Sequence, residues 1–332
     1  MRIVNICYNT GLGGLESVFK DTTDFLQQAG HEVLCVLPPN ALLLDNINAP
    51  TITNRVLNYK SFIKQKICGF TLHRQLLDFK PDIIITHNGR MAKFINSIAP
   101  VNCKTIGYCH GGNIKKLIGL NLLICVNKQL VKQAQNLGHN NTIYLPNWVE
   151  VPKNINRPQR DIPVIGTFSR LTIEKDLATF IEAIKILKSN NLNFKVKIAG
   201  NGPEIDNLKA QARGLDIDFV GWVADKTRYF ESIDIFCQTS LSESFGISML
   251  EAMAYKLPVV VTKTTGAKQI LGDNYKHLCE LGDIESVAGN LEDILLSSTL
   301  RNSLGKRMHN ITQQFCKNKA KQKLLDIINT KI

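Results

Sequence analysis

Two glutamates eight positions apart, Glu243 and Glu251, are the residues of this sequence best suited to chemistry. Glu243 ends a polar loop. Phe245, Gly246 and Ile247 follow it, and Gly246 opens a helix whose free N–H groups point back at that loop. Glu251 falls inside the helix among Ile247, Met249, Leu250, Ala252 and Met253. A carboxylate set among apolar side chains needs hydrogen-bonding partners. The hydroxyls of a ribose would supply them; the plainer reading is an exposed helix carboxylate.

Cations stand upstream. Arg170 and Lys175 flank the turn that follows a strand at 164–168. Such a pair can clamp a diphosphate, Arg as a planar fork and Lys as a point charge. Surface Lys and Arg are common, so the pair alone says little. Near the start of the chain, Thr10-Gly11-Leu12-Gly13-Gly14-Leu15-Glu16 follows a strand and opens a helix, the setting for an anion or a sugar. It departs from the dinucleotide fingerprint, because Glu16 stands where a third glycine belongs and no acidic residue closes the second strand. Its plainer reading is a tight turn. His110, followed by Gly111 and Gly112, reads as an exposed, approachable histidine at a strand end, able to bond a hydroxyl, donate to an anion or act as a base. His87-Asn88-Gly89-Arg90 is similar. The alternative for both is a loop histidine with no ligand.

The elements around these residues alternate. Strand-like runs are expected at 3–8, 32–37, 82–86, 104–108, 122–126 and 143–145, with helices at 15–29, 61–79, 90–99 and 128–137. This alternation predicts a parallel sheet covered by helices on both faces. Residues 151–163 break the pattern with three prolines and read as a linker. A second series follows, with strands at 164–168, 195–199, 218–220, 235–238 and 259–262 and helices at 176–189, 204–212, 226–232 and 246–255. The tail from 283 reads as polar and helical. Its last stretch carries an apolar stripe at Ile311, Phe315, Ala320, Leu324, Leu325 and Ile328, which must pack somewhere. The expected class is therefore α/β, with one doubly wound domain at 1–150, the linker 151–163, a second domain at 164–309 and a terminal helix at 310–332. Such sheets bind ligands at the C-terminal ends of their strands, and two of them facing each other would make an interdomain cleft.

Composition agrees with this class. The chain has 332 residues, 44% of them hydrophobic and 20% charged, which excludes disorder, collagen and coiled coil. No apolar run reaches the roughly 18–20 residues of a membrane helix, and Met1 to Tyr8 reads as a strand, not a cleaved leader. Nine scattered cysteines without metal-ligand spacing read as free thiols, so a reducing cytoplasm is expected. The net charge of +12 is concentrated: residues 51–132 hold 13 Lys or Arg against Asp78 and Asp82 alone. A field of this kind suits phosphorylated ligands or anionic membranes; nucleic acid is not expected, since no aromatic interleaving accompanies it.

The Glu-x7-Glu element with Phe245-Gly246 inside it, followed by Ala252-Met253-Ala254 and Leu257-Pro258-Val259-Val260, resembles the retaining glycosyltransferases of the GT4 family. Gly166-Thr167-Phe168-Ser169-Arg170-Leu171, Glu174-Lys175, the run Ala199 to Glu204 and Gly221-Trp222 stand at that family's places and spacing. The resemblance covers almost the whole chain and is most specific over 164–272. It implies the GT-B fold, two facing Rossmann-like domains with the terminal helix crossing back onto the first. It also implies transfer of a sugar from a nucleoside diphosphate to a saccharide or lipid-linked saccharide, with retention and without a metal or other cofactor.

Carried over, Arg170 and Lys175 match the pair that neutralises the donor diphosphate. Glu243 matches the contact to the transferred sugar and Glu251 the ribose ligand. The backbone of Phe245, Gly246 and Ile247 matches the segment at sugar and phosphates. Gly13 and Gly14 match the loop near donor phosphates and acceptor, and His110 matches the histidine that reaches the donor sugar. Departures are Asp176 where glycine is usual, Tyr255-Lys256 before Leu257, Gln269 in place of an acidic residue, and Trp148 in place of glycine. A sugar-nucleotide epimerase of the same fold and a non-catalytic partner subunit are the alternatives; retained Glu243, Glu251 and Arg170 disfavour them. A nicotinamide oxidoreductase is disfavoured by the imperfect glycine fingerprint. Finally, Arg55, Lys60, Lys64, Lys66 and Arg74 interleave with Phe62, Ile63, Ile67, Phe70 and Leu72. That pattern suits a helix lying on an anionic membrane, or a solvated basic helix whose apolar face is core. The expectation is a cytoplasmic protein, docked on the inner leaflet and extending a surface glycan such as lipopolysaccharide.

Overall fold

The computed structural model describes residues 1–87 and 89–331, so Asn88 and Ile332 lie outside the description. The chain divides into two compact units, one of Met1–Asn147 with Asn318–Ile332, the other of Trp148–Lys317.

The first unit is built from β1 (Arg2–Ile6), α1 (Gly14–Gln28), β2 (Glu32–Leu37), β3 (Thr51–Thr53), α2 (Phe62–Cys68) and α3 (Phe70–Phe79). It continues with β4 (Ile83–His87), α4 (Ala92–Ile98), β5 (Lys104–Cys109), β6 (Leu122–Cys125), α5 (Lys128–Asn136) and β7 (Thr142–Tyr144). The strands form one parallel sheet in the order β3-β2-β1-β4-β5-β6-β7. A parallel sheet is covered on both faces, so its strands run apolar without alternation; Ile83, Ile84 and Ile85 are all buried. Val4, Ile6, Val36 and Ile84 pack against Leu72, Leu76, Phe94 and Ile95. Cys7, Cys35 and Leu37 pack against Phe19 and Leu43.

The second unit contains β8 (Val164–Phe168), α6 (Leu177–Ser189), β9 (Lys195–Ala199), α7 (Ile205–Gln211), β10 (Ile217–Gly221), α8 (Lys226–Glu231) and β11 (Ile235–Gln238). Then come α9 (Ile247–Ala254), β12 (Val259–Thr262), α10 (Thr265–Leu271), β13 (Leu278–Cys279), α11 (Ile284–Leu296) and α12 (Ser298–Thr312). Its sheet is also parallel, in the order β10-β9-β8-β11-β12-β13. The strand order of each sheet reverses once, at β1/β4 and at β8/β11. A crevice opens at such a point beyond the carboxyl ends of the strands.

Three expectations change. The helix expected at 61–79 is broken at Gly69, where a Cβ would overlap the Phe94 ring and the Gln65 carbonyl. Residues 310–332 are not one helix. Ile311 ends α12, Phe315 lies in a 3-10 turn against the Phe245 ring at 5.7 Å, and α13 (Lys317–Thr330) starts afresh. Ala320, Leu324, Ile327 and Ile328 are buried, and Lys321 donates to Gln28 at 2.7 Å inside the first unit. Residues 151–163 lie in the second unit, where Arg160 pairs with Asp234 at 3.1 Å and the Asn156 N–H donates to Glu231 at 2.6 Å. The short edge strands β3 and β13, and α10, escape the pattern because each is too brief to show a period.

Candidate functional site

In the second unit the loop after β8 must turn sharply. Gly200 and Gly202 make room for it, since a Cβ on either would overlap the carbonyl of Ser169 or Leu171. Backbone bonds from Ser169 to Ala199 (3.1 Å) and from Leu171 to Asn201 (2.9 Å) fix the turn. Arg170 projects from it exposed, and it makes no ion pair among the described residues. A 3-10 turn over Ile173–Lys175 brings Lys175 inward, and Asp176 follows at φ +46°. That left-handed conformation explains why glycine suits the position. Asp176 offsets its strain by capping α6, accepting from the Thr179 hydroxyl at 2.7 Å.

Lys175 does not stand free to meet a ligand. Its Nζ pairs with Glu243 Oε1, and both side chains are largely buried. The same oxygen accepts from Gln238 Nε2 at 2.7 Å and from Ser240 Oγ at 3.2 Å. Three donors on one oxygen hold the carboxylate in a single orientation. The main chain is pinned as well, by the Gly266 N–H donating to the Glu243 carbonyl at 2.9 Å. Any Cβ at Gly266 would overlap Phe245. Gly246 sits at φ +87° and starts α9.

Glu251 occupies the middle of α9 and is not the exposed carboxylate of the plainer reading. Its Oε1 accepts from Lys226 Nζ at 2.6 Å. Burial pushes the Glu251 carboxyl upward, against the pull of Lys226. Lys226 also lies over the Phe168 ring at 5.6 Å. Gln269 lies in α10, which Thr264 caps, and Trp148 is buried.

In the first unit, Gly13 and Gly14 start α1, but the first turn of that helix carries its own carboxylate. Glu16 is buried, its Oε1 accepts from Asn9 at 2.7 Å, and a Cβ at Gly13 would meet its other oxygen at 3.2 Å. Across the β1/β4 reversal lies a polar chain. Asn5 Nδ2 donates to Thr23 Oγ1 at 3.0 Å and to the Phe19 carbonyl at 3.3 Å. Asn5 Oδ1 faces His87 Nε2 at 3.0 Å, and His87 Nδ1 faces His110 Nε2 at 2.9 Å. Tyr108 stacks on both rings, 5.1 Å from His87 and 4.6 Å from His110. His110 is therefore half-buried, with Nε2 committed to His87 and Nδ1 enclosed, which corrects the exposed reading. Burial holds His87 well below the usual histidine range and lowers His110 to about 3. The neighbouring Asn88 lies outside the described residues.

Lys226, Gln238 and Ser240, with Asn5 and His87 behind His110, are the groups that residue spacing did not single out as partners. A polar residue inside an apolar strand, as Asn5 is in β1 and Gln238 in β11, was the available signal. Among the described residues no three His, Cys, Asp or Glu gather where they could hold a metal ion, and no helix is long and apolar enough to cross a membrane.

Two doubly wound parallel sheets, the second carrying two Lys–Glu pairs at its strand ends, define an α/β protein of the GT-B class. Residues 150–310 match the model of the glycosyl transferases group 1. The chain is 30% identical over 177 residues to the lipopolysaccharide core biosynthesis glycosyltransferase LpsE of Rhizobium meliloti, covering 52% of this chain and 51% of that protein. The chain thus spans about half the length of that relative. It is 24% identical over 315 residues, 82% of each chain, to a GDP-mannose-dependent alpha-(1-6)-phosphatidylinositol dimannoside mannosyltransferase of Mycobacterium tuberculosis. Among solved structures, Anabaena Alr3699/HepE in complex with UDP and glucose superposes with a TM-score of 0.84 at 16% identity, over 99% of both chains. The lipopolysaccharide outer core galactosyltransferase WaaB does so at 0.78 and 17%, over the whole of both. These two likenesses are of fold.

Proposed function

We propose that this chain is a retaining, metal-independent glycosyltransferase of the GT4 type. It moves a sugar from a nucleoside-diphosphate sugar to a saccharide or lipid-linked saccharide, in the assembly of a bacterial surface glycan. The observation that carries this reading is the pair of largely enclosed carboxylates Glu243 and Glu251, each held by a lysine beside the β8/β11 crevice. Breaking a glycosidic bond to a diphosphate leaves negative charge on the departing oxygens. Arg170, the Lys175 ammonium and the N–H groups opening α9 are fixed positive groups that stabilise such charge without reorganisation. When a diphosphate draws on Lys175, Glu243 keeps Gln238 and Ser240 and stays aimed, ready for a sugar hydroxyl. Glu251 serves the ribose. Phe245, Gly246 and Ile247 offer backbone to the sugar and phosphates. Gly13, Gly14 and His110 serve the sugars; the Glu16 carboxylate beside Gly13 favours hydroxyls over phosphate there.

The acceptor reading draws on charge and exposure. Ile63, Ile67 and Phe70, three of the five apolar residues of the basic segment, are 69%, 72% and 70% exposed. Leu72 is core and Phe62 is half-buried, with Lys93 Nζ 4.6 Å from its ring. Exposed Lys60, Lys64, Lys66 and Arg74 surround the three. Apolar groups kept wet beside lysines suit a peripheral contact with an anionic leaflet from the cytoplasmic side.

The test is a panel of nucleotide sugars with candidate acceptors, read as released nucleotide and as the anomeric configuration of the product by NMR. An inverted anomer would overturn retention. Undiminished rates in chelator are expected. No turnover with any donor, together with no nucleotide binding, would overturn the reading.

A further inference from the structure

The Phe19 carbonyl sets the direction of a hydrogen-bonded chain that ends at His110. A carbonyl oxygen only accepts, so the Asn5 atom 3.3 Å from it is the amide nitrogen. Thr23 agrees: its hydroxyl donates to the same carbonyl at 3.0 Å, and its oxygen accepts from Asn5. Asn5 therefore turns its oxygen toward His87, and His87 Nε2 must carry the proton across that 3.0 Å contact. A neutral imidazole has one N–H, so His87 Nδ1 is an acceptor. The group 2.9 Å away, His110 Nε2, must then be the donor.

We propose that Asn5 and His87 are positioning residues for His110: they fix its ring as a neutral imidazole with the proton on Nε2, so that it takes no share in holding or protonating the diphosphate. This assignment of a role rests on the reading that His110 lies against the donor sugar. The proton positions themselves follow from the first unit alone. Three features of the surroundings support them. His87 is fully enclosed, and the Phe19 ring lies edge-on to it at 5.2 Å. Tyr108 stacks nearly parallel to both imidazoles. Burial disfavours the charged form of each ring. The cations for the leaving group are then Arg170 and Lys175, with no imidazolium among them.

The proton pattern is measurable without substrate. The 332-residue chain carries seven histidines, so its 15N-histidine-labelled form can be assigned by single substitutions. At neutral pH, long-range 1H–15N correlation is expected to show both His87 and His110 protonated at Nε2 and bare at Nδ1. A His110 proton on Nδ1, or a charged His110 ring, would overturn the proposal. Asn5→Asp then reverses the chain. A carboxylate at that position favours a doubly protonated His87, whose Nδ1–H would donate to His110 and move the His110 proton to Nδ1. Turnover of the preferred nucleotide sugar should fall about tenfold, the scale of one misdirected hydrogen bond, with affinity for the product nucleotide unchanged. A natively folded Asn5→Asp protein with an unaltered His110 spectrum would also overturn the proposal. Should that variant not fold, the wild-type spectrum still decides. Failure of the glycosyltransfer reading shows in the donor assay and failure of this inference in the ring spectrum, and each can occur without the other.

Discussion

Lys226 Nζ lies 2.6 Å from Glu251 Oε1, joining the first residue of α8 to the middle of α9. The pair gives a largely enclosed carboxylate its counter-charge before any ligand arrives. Removing the lysine leaves that charge unmatched. Breaking a fully buried pair costs about 3–5 kcal/mol, but solvent reaches this lysine, so about 1–2 kcal/mol is expected for Lys226→Ala in urea unfolding. Glu251→Gln should act differently with pH. A carboxyl raised above its ordinary 4.5 binds its proton more tightly in the folded state. Stability then falls as pH climbs from that value through the folded pKa, and the loss persists above it. Glu251→Gln removes this decline, so its stability profile should be flatter there than that of the parent. An equal slope in both proteins would contradict the raised pKa.

The two carboxylates should separate by role. Glu251→Gln is expected to weaken the free nucleoside diphosphate, because its target is the ribose. Glu243→Gln should leave that affinity within about twofold and lower turnover, because its target is the transferred sugar. Calorimetry with the product nucleotide measures the first effect and released nucleotide the second. The same affinity loss in both variants would refute the division.

Arg170 and Lys175 should also part, although both belong to the proposed diphosphate clamp. Each alanine variant is expected to lose about 10²–10³-fold in turnover, the usual loss for one fixed electrostatic donor. Their stabilities should differ. Arg170 is exposed and in no ion pair among the described residues, so Arg170→Ala should leave Tm unchanged. Lys175 is the counter-ion of Glu243, so Lys175→Ala should lower Tm as well. Diphosphate added to the parent should compete for Lys175; a Tm of Lys175→Ala equal to that of the parent would show the pair to be idle.

How much of this was legible before the fold depends on the range of each interaction. The doubly wound series was readable because apolar runs such as Ile83 to Ile85 and Val259 to Val261 report burial on both faces. Gly200 and Gly202 stood in a run matched by resemblance, but the backbone at Ser169 and Leu171 that demands glycine there shows only in the fold. Partners were not readable. Lys226 meets Glu251 only through side-chain packing between α8 and α9, where the Phe230 and Tyr255 rings also stack at 5.4 Å. Asn5 finds His87 through the pairing of β1 with β4, and His87 finds His110 through that of β4 with β5. No local spacing encodes those distances. The break at Gly69 was hidden for the same reason, since the ring that forces it belongs to Phe94, on another helix.

The terminal helix gives a prediction about folding. α13 lies in the first unit although it ends the chain, and Leu324 is fully buried there. Leu324→Ala should cost about 2–5 kcal/mol, the usual loss for a core leucine. Hydrogen exchange should speed up in α1, since Lys321 reaches Gln28 on that helix. Unchanged protection in 14–28 would show that α13 adds nothing to that unit.

The exposed segment over α2 and α3 is the place to test membrane docking. Ile63, Ile67 and Phe70 stand out of the core, so replacing each with serine should change stability by no more than about 0.5 kcal/mol. The same triple variant should lose much of its affinity for vesicles, because buried apolar area is part of what holds an interfacial helix. Charge is the other part. A Lys or Arg near an anionic surface contributes about 1 kcal/mol. Replacing Lys60, Lys64 and Lys66 with glutamine should therefore weaken binding roughly a hundredfold, at about 1.4 kcal/mol for each factor of ten. Both variants should keep turnover on a water-soluble acceptor, which needs no membrane. Sedimentation with vesicles of rising anionic lipid, at low and high salt, measures all of this. Binding that ignores lipid charge or added salt would leave this face without the proposed partner, since screening over about 10 Å at 0.1 M salt acts on any surface attraction between exposed charges.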